Sequence, residues 1–323
     1  MKKKILLLSL GWILVSLILT GLTFNMALGA YPERPINYII CFNPGGESDL
    51  TARLQQPLLE KVLGVSVIIS YKIGGGGALG WSELVKAKPD GYTIAGDNIP
   101  HIILQPLIRK ETGYKTEQLK QIYCFEFTPD VLVVKNDSPF KSLSDLLDYA
   151  KKHPGAVTLG GSGSPSANSL GVAKLNKEAG VDITYVPFTG SAPTIPALLG
   201  GHVTGLMSYS TMAIVYKKKL RPLAVASEER FPALPDVPTF KELGLNVVEG
   251  AWRGVAAPPG TPDEIINILA NAFDKVCRDD KFVGRMEAMG FQVVHWGPEE
   301  YTKFVQKKTE EYKKILKELG LLK

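Results

Sequence analysis

Side chains that commonly ligate metals or attack substrates are scarce: three cysteines and four histidines in 323 residues. Cys41, Cys124 and Cys277 each sit in an apolar segment, and no C-x-x-C pair occurs. That spacing excludes a zinc or redox motif, and an odd count leaves at least one thiol unpaired even if two join. Burial as small hydrophobes is the favoured reading. His101, His153, His202 and His295 form no H-x-x-x-H or H-E-x-x-H pair, so no metal is expected. His202, after Gly200-Gly201, reads as a turn residue. Net charge is scarce too. Residues 1–29 carry three of the 37 basic residues and no acid, which leaves 34 basic against 32 acidic residues, or +2, beyond them. This gives no footprint for nucleic acid, and Lys217-Lys218-Lys219 reads as a solvated helix end.

Catalytic frames are also missing. Ser162, in Gly161-Ser162-Gly163, and Ser164 lack the G-x-S-x-G of a hydrolase nucleophile, and no cysteine stands near a histidine partner. The glycines of Gly74–Gly80 are not followed by Gly-Lys-Ser/Thr, nor do they form a dinucleotide fingerprint. A hydrolase is the weak alternative. Neither enzymatic turnover nor a cofactor is expected.

What is present begins with Met1-Lys2-Lys3-Lys4 and an apolar run from Ile5 to Phe24, followed by small residues at Ala27-Leu28-Gly29. This is the pattern of a secretory signal peptide over residues 1–29. The run approaches the ~20 residues that span a bilayer, so an uncleaved anchor is the alternative.

The stretch from Cys41 to Arg53 carries the strongest functional signal. Ile36 to Phe42 is a nearly continuous apolar run, as in a buried parallel strand. Leu50, Leu54, Leu58, Leu59 and Val62 then recur at helical spacing. Between them Pro44-Gly45-Gly46 makes a turn, and Ser48 and Asp49 are N-cap residue types. A helix N-terminus left open after a strand prefers an anion. A plain strand-to-helix turn with a capping Asp is the equal alternative.

Strands at Val65–Tyr71 and Tyr92–Gly96, with a helix near Ala78–Ala87 between them, complete a parallel α/β unit with right-handed crossovers. Strands follow at Ile122–Phe127 and Val131–Val134. Ser142-Leu143-Ser144-Asp145 is a capping box. The opening design then recurs: a strand at Val157–Gly160, a Gly/Ser loop from Gly161 to Ser169, and a helix over Leu170–Ala179. Ile183–Val186 leads into Phe188-Thr189-Gly190-Ser191-Ala192 and a helix near Pro193, and Val203–Met207 ends in Ser208. Polar loops at strand C-termini are where open α/β sheets bind ligands. Further strands are expected at Leu223–Ala226 and Trp252–Ala257. A capping box at Thr261-Pro262-Asp263-Glu264 opens a helix to about Cys277, and two more helices, near 281–289 and 298–319, pack back on the first sheet. The chain thus divides into residues 30–127 plus 227–323 as one α/β domain and 128–226 as the other, with a ligand cleft between them.

Together these motifs resemble the Bug or TctC family, the periplasmic receptors of tripartite tricarboxylate transporters. The resemblance runs from about Tyr31 to Leu319. It rests on the order and spacing of Tyr31-Pro32-Glu33-Arg34-Pro35, Pro44-Gly45-Gly46 with Asp49, Gly74–Gly80, Asp90-Gly91-Tyr92-Thr93, Gly161–Ser164, Val186–Pro193, Leu198–Val203, Leu220–Val225 and Leu234–Thr239. It implies a two-domain Venus flytrap fold, periplasmic location, a monomer, and a small organic carboxylate as ligand, with membrane components of the transporter as partners. A ligand-sensing receptor for a membrane signalling protein is the alternative. It places Gly45, Gly46, Ser48 and Asp49 in the first ligand loop, Ser162, Ser164 and Asn168 in the second, and Thr189, Gly190, Ser191 and Ala192 in the third; Phe42, Glu47 and Ser208, which lie in or beside these loops in the sequence or end the next strand, are further candidate contacts. The chain departs from the family in lacking a His near Asn168, in having Phe188-Thr189-Gly190 where Tyr-Lys-Gly is common, in Pro57 within the first helix, and in Glu47, where the family has small residues. Glu47 is expected at the cleft mouth as a solvated loop acid. Turned inward, it would disfavour a diacid and favour a ligand with one carboxylate and an amino, amide or hydroxyl donor.

Overall fold

The computed structural model describes residues 31–322, so the signal-peptide expectation lies outside the described residues. In chain order the first elements are β1 (Ile36–Ile40), α1 (Glu47–Leu63), β2 (Val67–Tyr71), α2 (Ala78–Leu84), β3 (Thr93–Ile99), α3 (His101–Ile108) and β4 (Lys120–Lys135). Next come α4 (Leu143–Lys152), β5 (Thr158–Ser162), α5 (Ala167–Ala179), β6 (Thr184–Phe188), α6 (Thr194–Leu199), β7 (Gly205–Tyr209), α7 (Ser210–Val215) and β8 (Leu220–Val225). The chain ends with β9 (Gly250–Ala257), α8 (Asp263–Cys277), α9 (Asp280–Ala288), β10 (Gln292–Trp296) and α10 (Pro298–Glu318).

The sheet runs β2-β1-β3-β9-β4-β7-β5-β6, with β8 and β10 also paired to β4. Parallel pairing holds for β1 with β2 and β3, and for β5 with β6 and β7. The expected all-parallel units are joined by antiparallel strands, because β4 and β9 run against their neighbours. β4 is the axle of the fold. Its first part pairs with β9 and β10, and its last part, from Asp130, pairs with β7 and β8. The two strands expected at Ile122–Phe127 and Val131–Val134 are therefore one. Pro129 does not break it, and sits opposite Gly250 where the pairing passes from one half-sheet to the other.

The run Val131–Val134 is apolar throughout because both faces of its half-sheet are covered. Leu132 and Val134 pack on one side with Leu143, Leu146 and Leu175, while Val131 and Val133 pack on the other with Ile195, Leu198 and Met212. In the other half, Ile39, Cys41, Trp81 and Ile103 share a core with Tyr301, Val305 and Leu316 of α10, so the C-terminal helices pack on the first half-sheet as expected. The three cysteines are buried and free. The Pro-rich connection joins the second half instead: Phe231 and Val237 pack with Val131, and Phe240 and Val247 with Leu132.

Several local expectations are corrected. In α1 the buried stripe is Thr51, Ala52, Gln55 and Leu59, whereas Leu50, Leu54 and Leu58 are half-buried and Val62 is exposed. The inward face lies against Tyr38, whose hydroxyl donates to Gln55, so a polar side chain is used there. α1 continues through Pro57 without a break. Pro262, rather than Thr261, occupies the N-cap of α8, and the Thr261 hydroxyl donates to the Pro258 carbonyl. The box at Ser142 and Asp145 forms as expected. α3, α7 and β10 were not anticipated. Among the described residues no helix is long and apolar enough to cross a membrane.

Candidate functional site

The first loop joins β1 to α1 at the C-terminal edge of the first half-sheet. Gly46 is the extended N-cap of α1 and no side chain caps the helix there, so Ser48 and Asp49 fall inside the first turn rather than at the cap. Asp49 reaches back instead. Its Oδ2 accepts from the Gly45 N–H at 2.7 Å, and its Oδ1 accepts from the Tyr71 hydroxyl at 2.6 Å and Arg53 Nε at 2.9 Å. The turn is thus pinned by Asp49, from a helical position. Gly45 takes a φ of +76°, which only glycine adopts freely.

Six of the expected residues, Phe42, Gly46, Glu47, Ser48, Ser162 and Ser191, line one cavity, and Asn98, Tyr209 and Arg253 complete it. The loops are drawn close. The Glu47 N–H reaches Ser191 Oγ at 3.4 Å, and a Cβ on Gly190 would lie 3.3 Å from the Asn43 nitrogen. Space open to the centre of a water molecule is about 10 Å³, room for roughly one water, so a larger solute enters only when the loops part.

Glu47 is not a solvated loop acid. It is 2% exposed, its Oε1 accepts from the Thr211 hydroxyl and its Oε2 from the Arg253 guanidinium. The first turn of α1 faces the opposing half-sheet, so a side chain there points across the seam. Arg253 projects from β9, and its Nη1 donates to Glu126 Oε1 at 3.0 Å and Thr128 Oγ1 at 2.8 Å. With the Asn98 amide turned so that its oxygen faces the guanidinium, Arg253 Nε donates to it at 3.1 Å. The guanidinium carbon lies 4.6 Å from the centre of the Tyr209 ring, a cation–π contact.

One buried guanidinium therefore faces two buried carboxylates. Burial pushes Glu126 up to about 8, with Arg253 opposing and Glu47 adding to the rise. Glu126 Oε2 meets no partner among the described residues. Burial also raises Glu47, opposed by Arg253 and the Thr211 hydroxyl. Burial works against the Arg253 charge, but Glu47 and Glu126 outweigh it and hold the guanidinium above its ordinary value.

In the second loop the Ser162 N–H and hydroxyl both donate to Asn168 Oδ1, at 2.9 and 2.8 Å, and Asn168 Nδ2 donates to Asp130 Oδ1 at 2.9 Å. Ser162 Oγ also lies 3.0 Å from the Tyr209 hydroxyl. Asn168 thus orients Ser162 rather than lining the cavity. Ser164 lies outside the cavity, its carbonyl taken by Arg109, which also donates to the Gly75 carbonyl at 2.7 Å. Gly45 and Ala192 face each other at the rim, as a Cβ on Gly45 would lie 3.9 Å from that of Ala192. Gly45, Asp49, Ser164, Asn168, Thr189, Gly190, Ala192 and Ser208, all expected, do not line the cavity. Thr189 is exposed, and Ser208 is buried within β7 with an unpartnered hydroxyl away from the lining.

Sequence reasoning missed Asn98, Thr211, Tyr209 and Arg253. One signal was available for Arg253: a charged residue inside the run Trp252–Ala257, otherwise free of charge and read as a strand. The site offers hydroxyls, one amide and one ion pair, a set suited to orienting a polar solute.

Residues 51–321 match the family described as "Tripartite tricarboxylate transporter family receptor". The chain is 32% identical over 294 residues to a protein of Cupriavidus necator described as "UPF0065 protein in gbd 5'region", covering 91% of this chain and 90% of that one. Among solved structures it is similar to periplasmic binding protein BugD, with a TM-score of 0.85, 30% identity, and coverage of 90% of this chain and 99% of that one. It is likewise similar to MatC from Rhodopseudomonas palustris with bound malate, with a TM-score of 0.83, 27% identity, and coverage of 88% and 100%. Fold, loop order and sequence agree: the chain belongs to the tripartite tricarboxylate transporter receptor family, the TctC or Bug family of periplasmic solute-binding proteins.

Proposed function

We propose that this chain is an extracytoplasmic receptor that captures a small organic carboxylate and delivers it to the membrane components of a tripartite tricarboxylate-type transporter. One observation carries this reading. Loops from both half-sheets converge on one cavity, lined by the hydroxyl-bearing Ser48, Ser162, Ser191 and Tyr209 together with Arg253. Such groups hold a carboxylate through neutral and charge-assisted hydrogen bonds. Malate in the similar MatC structure supports the ligand class. Residues 1–29 serve as the export signal, and the receptor works as a monomer.

The pairing of β4 supports a division into two lobes, residues 31–129 with 250–322 and residues 130–249. This division puts the return crossing at Glu249-Gly250 rather than at 226–227, a placement supported by the packing of Phe231, Phe240 and Val247 on the second half-sheet. Ligand favours the closed arrangement because groups from both lobes complete the site. The test is calorimetry on natively purified, ligand-stripped protein with organic acids of three to six carbons, alongside small-angle scattering. Saturable binding of at least one acid, with a smaller radius of gyration at saturation, is the expected result. Failure of every acid to bind, or its steady consumption by catalytic amounts of protein, overturns the reading.

A further inference from the structure

The charge count of the cavity narrows the ligand class, an inference that rests on the receptor reading. Among the described residues lining the cavity, Arg253 is the one cation and Glu47 the one acid. The guanidinium is already engaged by Glu47, Glu126, Thr128 and Asn98. Glu47 accepts from Thr211 and Arg253, and a carboxylate has about four acceptor positions, so it has capacity left on the cavity side. The first turn of α1 already carries two acids, Glu47 and Asp49, whose charge offsets the attraction of the helix N-terminus for an anion. A dianion entering here would set a second carboxylate near Glu47 with no unengaged cation in the lining. Burial of an unbalanced charge is costly. A ligand whose own charges cancel adds none.

We propose that Glu47 sets the ligand class. The solute carries one carboxylate, received by the hydroxyls of Ser48 and Ser191, which donate no bond of their own among the described residues, and at its other end an ammonium or amide that donates to Glu47. A site built to accept a donor rejects the analogue that lacks it, because a buried acceptor is then left facing an acceptor.

The experiment compares ω-amino acids, diacid monoamides and diacids of matched length, from three to six carbons, by calorimetry on wild type, Glu47→Gln and Thr211→Val. The last keeps the charge of Glu47 and removes the hydroxyl that holds it. In the wild type the best amino acid or monoamide should bind about 100-fold more tightly than the diacid of equal length. Glu47→Gln should reduce that ratio below about tenfold. Where Glu47→Gln does not fold, a ratio reduced in Thr211→Val serves as the same evidence. Diacids that bind wild type as tightly as their amino or amide counterparts overturn this inference and leave the receptor reading standing. A preference for amino or amide ligands unchanged in both variants also overturns it. Absence of binding by every compound takes down both.

Discussion

The two strand–loop–helix corners that meet at the cavity share a plan and differ in how the helix end is satisfied. At the second corner Ser166 caps α5 within its own segment: its hydroxyl accepts from the Ser169 N–H, and the Ser169 hydroxyl accepts from the Ser166 N–H. At the first corner Gly46 offers no side chain, and the work passes to Asp49 within the helix and to Ser191 of the opposing half. The helix cap of the second corner is complete within residues 166–169. The first is complete only when the halves are together, and it carries the buried acid. A helix N-terminus is thus a general anion site only where the chain has not supplied the anion.

Breaking the first corner at its charge should have the largest effect. Arg253→Ala leaves Glu47 and Glu126 buried without their cation, and should lower stability by about 3–5 kcal/mol in urea unfolding. A loss below about 1 kcal/mol would show that the carboxylates find other partners.

Acidity sharpens the same comparison. The folded pKa of Glu126, about 8, lies above the ordinary carboxylate value. Between about pH 5 and 8 the fold keeps a proton that the unfolded chain releases, so stability falls as pH rises, by at most about 1.4 kcal/mol per pH unit from this group. Asp97, which burial pushes up to about 7, acts in the same direction. Unfolding at pH 5.5, 6.5 and 7.5 should show that fall, and Glu126→Gln should make it shallower. An identical slope in the variant removes Glu126 as its source.

The smallest effects separate the corners by their readout. Asp49→Ala should cost about 2 kcal/mol, because a nearly buried carboxylate holding the Gly45 N–H and the Tyr71 hydroxyl is lost, and ligand affinity should fall as the loop is released. Ser166→Ala should cost about 1 kcal/mol as a lost cap, with affinity kept. Equal changes in affinity would erase the distinction between the two corners.

What could be read from the sequence was local. The turn at Pro44–Gly46, the capping box at Ser142 and the second Gly/Ser loop each declare themselves within a few residues, because caps and turns depend on near neighbours. The misses were of two kinds. α3 lies between Pro100 and contains Pro106, and β4 contains Pro129, so punctuation residues hid elements that tertiary packing sustains. The ion pair joins residues 206 positions apart, and no local pattern links Glu47 to Arg253. The same distance explains why a buried acid was read as a surface one: its environment is made by the other end of the chain.

Three backbone hydrogen bonds tie the places where the chain passes between the half-sheets. The Ala226 N–H donates to the Asp130 carbonyl at 2.7 Å, Glu249 N–H to Ala226 at 3.0 Å, and Asp130 N–H to Glu249 at 2.9 Å. Mechanically this is a flexure made of leaves stitched at the bend. It yields to rotation across the stitch line and resists sliding along it, because sliding would break all three bonds together. In the proposed parting of the lobes Asp130 lies at the crossing, and Gly46 and Ser191 lie on the two loops that separate. Asp130 also holds Asn168, and through it Ser162, so the second loop is tied by side chains to the crossing itself.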